Sequence, residues 1–353
     1  MSCVEDGAVM SALAKRRLGR SNLEVTEIGF GTAPLGDLYA RLDDAIAIAT
    51  VSAALQGGIT LVDTSPHYGN GLAEHRCGTA LRRVARESLV LSTKVGRWMN
   101  PRGSKPSAKG GTTSPGFAGG LPHAAAFDYS YDGTMRSLEQ SMLRLGVDAI
   151  DVVLIHDVDV WTHGRDHIEQ RFSEAMEGAY RALAQLRAEG AIKAIGVGLN
   201  EADMCARFAR AGDFDAMLLA GRYSLLEQPA LAEFLPLALE KKIGVMLGGV
   251  FNSGILATGP IAGARYNYRI APPEIVARVE RIEKVCRAHG IALADAALRF
   301  PLGHPAVSSI VLGAVRPEEV QRNLASLDVK IPNALWQALK AEQLLAHDVP
   351  VPT

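Results

Sequence analysis

The feature that most constrains this chain is a repeated alternation: short, almost wholly apolar runs, each followed by a longer stretch with apolar residues at helical spacing. Eight runs are predicted as strands, over residues 25–32, 61–64, 89–95, 150–156, 192–199, 216–220, 243–247 and 308–312. Their nearly continuous apolar character is that of strands covered on both faces, as in a parallel sheet. Between them, Ala45, Ile46, Ala49, Ala53 and Ala54 run into Gly57 and Gly58. Leu138, Met142 and Leu145 lead to Gly146, Ala182, Leu183, Leu186 and Ala188 to Gly190, and Val276, Val279, Ile282, Val285 and Cys286 to Gly290. This is the pattern of amphipathic helices stopped by glycine. A doubly wound open sheet also alternates, but it needs a third glycine in the turn after its first strand. Gly29-Phe30-Gly31-Thr32-Ala33-Pro34 lacks one. The predicted fold is therefore α/β, a (β/α)8 TIM barrel.

A length of 353 residues suggests two domains at ~150 residues each, but a barrel absorbs that length in one. Residues 15–353 are expected to form this single domain behind a disordered lead-in, 1–14. With 37 Lys and Arg against 38 Asp and Glu, no cationic excess is available for nucleic acid or an anionic membrane surface. Small molecules are the expected partners, and the oligomeric state is not legible. Cys3, Cys77, Cys205 and Cys286 are dispersed and form no CxxC, so neither a disulfide framework nor a metal site is expected. Residues 1–17 lack a continuous apolar segment and are not a secretory signal, and no window has the ~18–20 apolar residues of a membrane span. A cytoplasmic location is expected.

In such a barrel the functional groups stand at the C-terminal strand ends. Two long loops leave that face, 97–128 and 157–170, and are expected to cover substrate in part. Asp63, Tyr68, Lys94 and His156 lie at or just after the ends of consecutive strands and should converge on one mouth. An aspartate and a lysine buried together satisfy each other, and the ammonium should draw the Tyr68 phenol down from ~10 toward working pH. Tyr68 then exchanges protons, and His156 orients a carbonyl or hydroxyl. A structural ion pair beside a packed histidine and a surface tyrosine is the plain alternative for any one of them. The four together at successive strand ends favour catalysis.

Residues 15–32 (KRRLGRSNLEVTEIGFGT), 59–71 (ITLVDTSPHYGNG), 91–96 (LSTKVG) and 137–156 (SLEQSMLRLGVDAIDVVLIH) resemble the aldo-keto reductase superfamily, from about Lys15 to about Glu342. The segments IHDVDVW (155–161), GVGLN (196–200), AGRYSLLEQ (220–228), GGVFNSGIL (248–256) and YNY (266–268) are similar to its sugar-oxidising branch of D-threo-aldose 1-dehydrogenase, L-fucose dehydrogenase and pyridoxal 4-dehydrogenase-like proteins. The resemblance implies a barrel with a short N-terminal β-hairpin and NAD(P)-dependent hydride transfer. It makes Tyr68 the acid/base, tuned by Lys94 and Asp63, with His156 positioning the substrate oxygen.

The resemblance also implies a cofactor track. Thr32, Ala33 and Asp63 flank it, and Asn200 holds the carboxamide. Asn252, Ser253, Gly254 and Leu256 form the pyrophosphate loop, and Gly313, Ala314, Arg316, Glu319, Arg322 and Asn323 surround the adenosine ribose. Leu199, Ala220 and Gly248 replace the family's serine, amide and stacking aromatic, for which Phe251, Arg222 or Tyr223 are the candidate substitutes. Glu319 where NADP-preferring relatives carry cations implies NAD as the preferred cofactor, with NADP admitted through Arg316. His67, Arg97, Trp98, Asp157 and Trp161 are expected around the substrate. The expected reaction is oxidation of an aldose C1 hemiacetal (L-fucose, D-arabinose or L-galactose type) to a lactone. Pyridoxal oxidation and general aldehyde reduction are the alternatives. A Schiff-base aldolase barrel using Lys94 and a non-catalytic nucleotide-binding barrel are more remote ones.

Overall fold

In a computed structural model of the chain, which describes residues 12–101 and 117–352, the eight runs pair in sequence order and close on themselves. The barrel strands are β1 (Ile28–Gly31), β2 (Leu61–Asp63), β3 (Val90–Val95), β4 (Val152–His156), β5 (Ala194–Leu199), β6 (Ala216–Ala220), β7 (Gly244–Gly248) and β8 (Val307–Gly313). All neighbours are parallel, and β8 returns to β1 to seal the barrel. The lead-in expected to be disordered falls outside the described residues for 1–11.

The helices follow their sequence punctuation. Helix α1 (Asp44–Gln56) is capped by Asp43, whose carboxylate accepts from Ile46 N–H, and it ends at Gly57. Helix α2 is Leu72–Leu81. Helix α3 (Tyr131–Leu145) starts under the Ser130 hydroxyl and ends at Gly146 with φ 66°. Helices α4 (Arg181–Ala188), α5 (Ala202–Ala211), α6 (Phe234–Glu240), α7 (Pro273–Ala288), α8 (Leu293–Arg299), α9 (Pro317–Ala325) and α10 (Asn333–Ala341) complete the outer layer.

Two cores result. The larger lies between strands and helices. The smaller fills the barrel, where Leu61, Val90, Val152, Leu154, Ala216, Leu218, Met246 and Val311 are joined from below by Leu18, Leu23 and Val25. Those last three belong to an N-terminal hairpin, Lys15–Arg17 paired with Glu24–Thr26, that plugs the barrel floor. The predicted strand 25–32 is thus two strands. Glu27 divides them: its N–H goes to Ala14 O and its carboxylate binds Arg16 at 2.7 Å, which turns the chain from hairpin into barrel.

The long loops are more regular than expected. Residues Arg97–Asn100 and Ala124–Phe127 pair as an antiparallel hairpin, and residues 102–116 of that loop lie outside the described ones. The 157–170 loop contains a helical turn, Val160–His163, capped by Asp159, and the start of the helix Ile168–Glu174. Among the described residues no helix is long and apolar enough to cross a membrane, and no group of acidic, His or Cys side chains could hold a metal.

Candidate active site

Strand parity builds the site. Leu61, Val90, Val152 and Leu154 point into the barrel, so Asp63, Ser92, Lys94 and His156, two or four positions further up, point inward above them. Lys94 Nζ donates to Asp63 Oδ2 at 2.6 Å and to Thr64 O at 2.8 Å, and lies 4.8 Å from the centre of the Tyr68 ring. Ser92 Oγ donates to the other Asp63 oxygen at 2.8 Å. Lys94 is 1% exposed and Asp63 2%, so each charge depends on the other. Gly198 on β5 leaves room for this: a Cβ there would stand 3.3 Å from Lys94 Cε.

Burial by itself lowers the Lys94 pKa, but Asp63 and Tyr68 outweigh it and hold the ammonium above its ordinary value. Tyr68 departs from the sequence expectation. Desolvation of the phenol raises its pKa, and Lys94 offsets this only in part, so the net shift is upward.

His156 stands 6.1 Å from the Tyr68 ring, centre to centre. Its Nδ1 meets Ser65 Oγ at 3.2 Å and Arg97 Nη1 at 3.5 Å. A guanidinium only donates, so Nδ1 is the acceptor and the neutral ring carries its proton on Nε2. Burial, then Lys94, then Arg97 push the His156 pKa well below its usual value. Nε2 lies 3.3 Å from Asp157 Oδ1, and the second Asp157 oxygen binds Arg97 at 2.8 Å. Asp157 holds a left-handed φ of 55°. Tyr129 donates to the carbonyl of His156 at 2.9 Å and lies 3.0 Å from His163 Nε2, bracing that bend.

Of the remaining expected substrate residues, His67 lies beside His156 at 6.1 Å and Phe117 at 5.4 Å, and its enclosed Nδ1 has no hydrogen-bond partner among the described residues. Trp161 lies on the 160–163 turn, whose N–H groups at Val160 and Trp161 bind Glu201. Trp98 is not at the site. In the strand Arg97–Asn100 alternation buries Arg97 and Met99 and turns Trp98 to the other face, where Arg136 of α3 stacks on it at 4.7 Å.

Sequence reasoning missed the contribution of the loop after β7. There Arg265–Tyr266 pairs with Arg269–Ile270, and the two turn residues between them, Asn267 and Tyr268, both have positive φ, 46° and 63°. Such hairpin turns favour Asn-Gly, and a side chain in that conformation costs on the order of 1 kcal/mol. Tyr268 packs 6.5 Å from Trp161. The only sequence signal was the YNY segment itself. Ser65, Ser92 and Tyr129 were missed as well. Ser65 lies in the same TSPHYG segment as Tyr68, and Ser92 shares the inward parity of Lys94.

The expected cofactor residues lie along the rim from β1 and β5 to β8. Thr32 is buried, its hydroxyl donating to Thr64 Oγ1 at 2.7 Å, and Ala33 begins a 3-10 turn. Asn200 N–H donates to Asp159 at 3.2 Å, while its side-chain amide has no protein partner among the described residues. Asn252 is turned inward, against the expectation of a phosphate-facing loop. Its side chain contacts Ser224 at 2.5 Å and Glu227 at 3.2 Å, and the tight turn consumes the N–H groups of Asn252, Gly254 and Leu256 on Gly249 O and Phe251 O. Ser253 Oγ accepts from Tyr268 N–H at 2.9 Å. Gly313 and Arg316 are exposed beside buried Ala314, and Arg322 and Asn323 follow on α9. Glu319 is partly committed, since one carboxylate oxygen caps Val315 N–H at 2.8 Å.

Tyr223 does not stand in for the missing aromatic, because its ring is packed between Phe300 and His304. Arg222 is tied to Asn267 at 3.0 Å. The chemistry of the rim still fits a dinucleotide. A free carboxamide (Asn200), open space in front of Gly221 and Gly254, and the cations Arg316 and Arg322 succeed one another from β5 to β8.

A closed parallel barrel with buried Asp, Lys and His beside a partly buried Tyr at its C-terminal mouth and a dinucleotide-compatible rim defines a class of barrel oxidoreductases. Residues 27–342 match the model of the aldo/keto reductase family, and the chain belongs to that family. It is 42% identical over 341 residues to the pyridoxal 4-dehydrogenase of Microbacterium luteolum, covering 96% of this chain and 99% of that one. It is 37% identical over 326 residues to the D-threo-aldose 1-dehydrogenase of a Pseudomonas species, covering 92% and 96%. A holo aldo-keto reductase from Bacillus halodurans has the same fold, with a TM-score of 0.71 at 24% identity over 96% of this chain and 98% of that one. The protein is accordingly an oxidoreductase enzyme of this family.

Proposed function

We propose that the enzyme oxidises the C1 hemiacetal of an aldose of the L-fucose, D-arabinose or L-galactose type to the lactone, with NAD preferred over NADP. The observation that carries this is the buried cluster, with Lys94 bonded to Asp63 at 2.6 Å and 4.8 Å from the Tyr68 ring. A nicotinamide held at the mouth by Asn200 would supply the acceptor for the C1 hydride. Tyr68 removes the anomeric hydroxyl proton as the C1 carbonyl forms, and Lys94 stabilises the phenolate state from which Tyr68 acts. Because burial raises the Tyr68 pKa, that phenolate depends on Lys94 and on any further positive charge brought to the mouth. His156 donates from Nε2 to the same substrate oxygen, and the Arg97–Asp157 pair and His67 Nδ1 supply further polar contacts for hydroxyls.

Asn200 would hold the carboxamide, the rim at Ser253 and Gly254 the pyrophosphate, and Gly313, Ala314, Arg316, Glu319, Arg322 and Asn323 the adenosine end. The free oxygen of Glu319 accepts from a ribose hydroxyl and repels a 2′-phosphate. Pyridoxal is the second reading, favoured by the 42% identity to a pyridoxal 4-dehydrogenase. Like the aldoses, it is a ring hemiacetal whose oxidation gives a lactone. The same proposal takes residues 15–353 as one domain in a reducing, cytoplasmic setting, in keeping with free, buried Cys77, Cys205 and Cys286.

Steady-state kinetics with L-fucose, D-arabinose, L-galactose and pyridoxal, each with NAD and NADP, test the proposal. Turnover of an aldose with kcat/KM higher for NAD supports it. Turnover of none of the four, or a higher kcat/KM with NADP, overturns the corresponding part. Tyr68→Phe should lower kcat by about 10²–10⁴-fold with cofactor binding retained.

A further inference from the structure

The hairpin after β7 is fastened across the mouth at three points. Tyr266 Oη donates to Glu227 Oε1 at 2.5 Å, Asn267 Oδ1 accepts from Arg222 at 3.0 Å, and Tyr268 N–H is held by Ser253 Oγ at 2.9 Å. Glu227 and Arg222 belong to the loop after β6, and Glu227 also receives the Asn252 side chain at 3.2 Å. These ties fix the turn, including the position whose side chain is least suited to a positive φ. Tyr268 has φ 63° where a hairpin turn with two positive φ values favours glycine. An aromatic kept in that conformation by over-determined surroundings marks a position where the side chain is needed. Its ring is directed to the mouth: it lies 6.5 Å from Trp161, which comes from the loop after β4 on the far side. Burial first, and then the charges of Tyr68, Tyr39 and Asp157, raise the pKa of the Tyr268 phenol, with Arg222 acting the other way.

We infer that Tyr268 is a specificity-determining residue which, with Trp161, forms an aromatic wall against the flat face of a ring substrate, so that the site selects cyclic hemiacetals over short open-chain aldehydes. The inference deepens the proposed function and rests on it. The polar side of the ring meets Arg97, Asp157 and His67, and the apolar face meets the Tyr268–Trp161 wall, a two-sided arrangement that suits pyranoses and a pyridine ring alike. Because Tyr268 is delivered by the strap that also engages Ser253, the wall is complete only when the strap lies over that loop.

Two substitutions separate this role from a structural one. Tyr268→Gly removes the ring and relieves the positive φ, and Tyr268→Phe keeps the ring. With Tyr268→Gly, KM for L-fucose and pyridoxal should rise about tenfold, while KM for reduction of methylglyoxal, which has no ring face, changes by less than about threefold. Its Tm should be equal to or above that of the wild type. Tyr268→Phe should restore most of the ring-substrate affinity. Tryptophan-fluorescence titration of pyridoxal in a Tyr68→Phe background, with and without Tyr268→Gly, reads the same difference without turnover. Equal losses for ring and open-chain substrates, an unchanged ring-substrate KM, or a lowered Tm in Tyr268→Gly would each overturn the inference. A wild type that turns over none of the ring substrates is instead the failure of the proposed function, and is read from the unmodified enzyme.

Discussion

Breaking one half of the Lys94–Asp63 pair should cost far more stability than deleting both halves. At 2.6 Å and an effective dielectric of about 20, the gross attraction is roughly 6 kcal/mol. Most of that is consumed in taking both charges out of water, since neither side chain exceeds 3% exposure. Lys94→Met strands a carboxylate left with the Ser92 hydroxyl, and Asp63→Asn strands an ammonium left with the neutral partners Thr64 O and the Tyr68 hydroxyl. Each should therefore lose about 3–5 kcal/mol. The double variant Asp63→Asn/Lys94→Met strands nothing and should lie within about 2 kcal/mol of the wild type. Urea unfolding of the four proteins, followed by circular dichroism, gives the coupling energy directly, expected at about 3 kcal/mol or more. Activity should separate from stability. All three variants lose kcat/KM by at least about 10²-fold, and the double variant regains none of it, because burial and the Asp157 charge then act on the Tyr68 phenol with no Lys94 ammonium to offset them. Additive stability losses in the double variant would refute the account of a mutually dependent buried pair.

Three further outcomes follow from the same geometry. Arg97 and Lys94 together with burial keep His156 neutral, so its NMR resonance should not titrate between pH 6 and 8, and Arg97→Met, which removes a cation and frees Asp157, should move its midpoint upward. A wild-type midpoint at the ordinary histidine value would refute this. Glu319→Ala should raise the NADP-to-NAD ratio of kcat/KM by about tenfold, and an unchanged ratio would remove Glu319 from cofactor choice. The buried Asp159 carboxyl is pushed up to about 6, by burial first and then by Asp157. The folded state therefore binds more protons than the unfolded one between about pH 4 and 6, and stability is lost as pH rises through that window. Asp159→Asn cannot ionise, so the substitution should be more damaging at pH 4.5 than at pH 7, by about 2 kcal/mol in urea midpoints. Equal effects at the two values would contradict a raised Asp159 pKa.

How much of this was legible in the sequence depends on whether a residue's role is set by local pattern or by a contact distant in the chain. Apolar runs and glycine stops are local, and they located all eight barrel strands and the ends of α1, α3, α4 and α7. The predicted strand 25–32 merges two because the break at Glu27 is not set by the local pattern, whereas 150–156 and 192–199 are only two residues longer than the strands observed. The turn at Glu27 is made by Arg16 and Ala14 from another segment. Asp63, Lys94 and His156 were legible because strand parity, itself local, carries them inward over apolar layers. Trp98 was misplaced because the short strand holding it pairs with Ala124–Phe127, a partner invisible in the sequence, and its parity opposes that of Arg97. The direction of the Tyr68 shift was misjudged for a related reason. The neighbouring cation is in the sequence, but the depth of desolvation is a property of the assembled mouth.

That mouth also concentrates the strain of the fold. Among the described residues ten non-glycine residues have positive φ, and eight of them (Asp37, Tyr39, Asn70, Asp157, Asn252, Ser253, Asn267 and Tyr268) lie in loops leaving the C-terminal strand ends. The lower barrel interior is filled by Leu, Val, Ala and Met layers closed by the N-terminal hairpin, and the buried carboxylates at its rim, Asp151 and Asp215, are paired with Arg86 and Lys193 and with Arg20 and Arg187. Most of the unfavourable backbone conformations are thus placed at the mouth, above a floor that contributes stability without constraint from chemistry. Glycine at positions such as Asp157 or Tyr268 relieves the backbone and removes the polar or aromatic contact at once. Stability and selectivity should therefore move in opposite directions at the mouth, whereas in the lower layers a cavity-forming change such as Leu154→Ala lowers stability and leaves substrate choice intact.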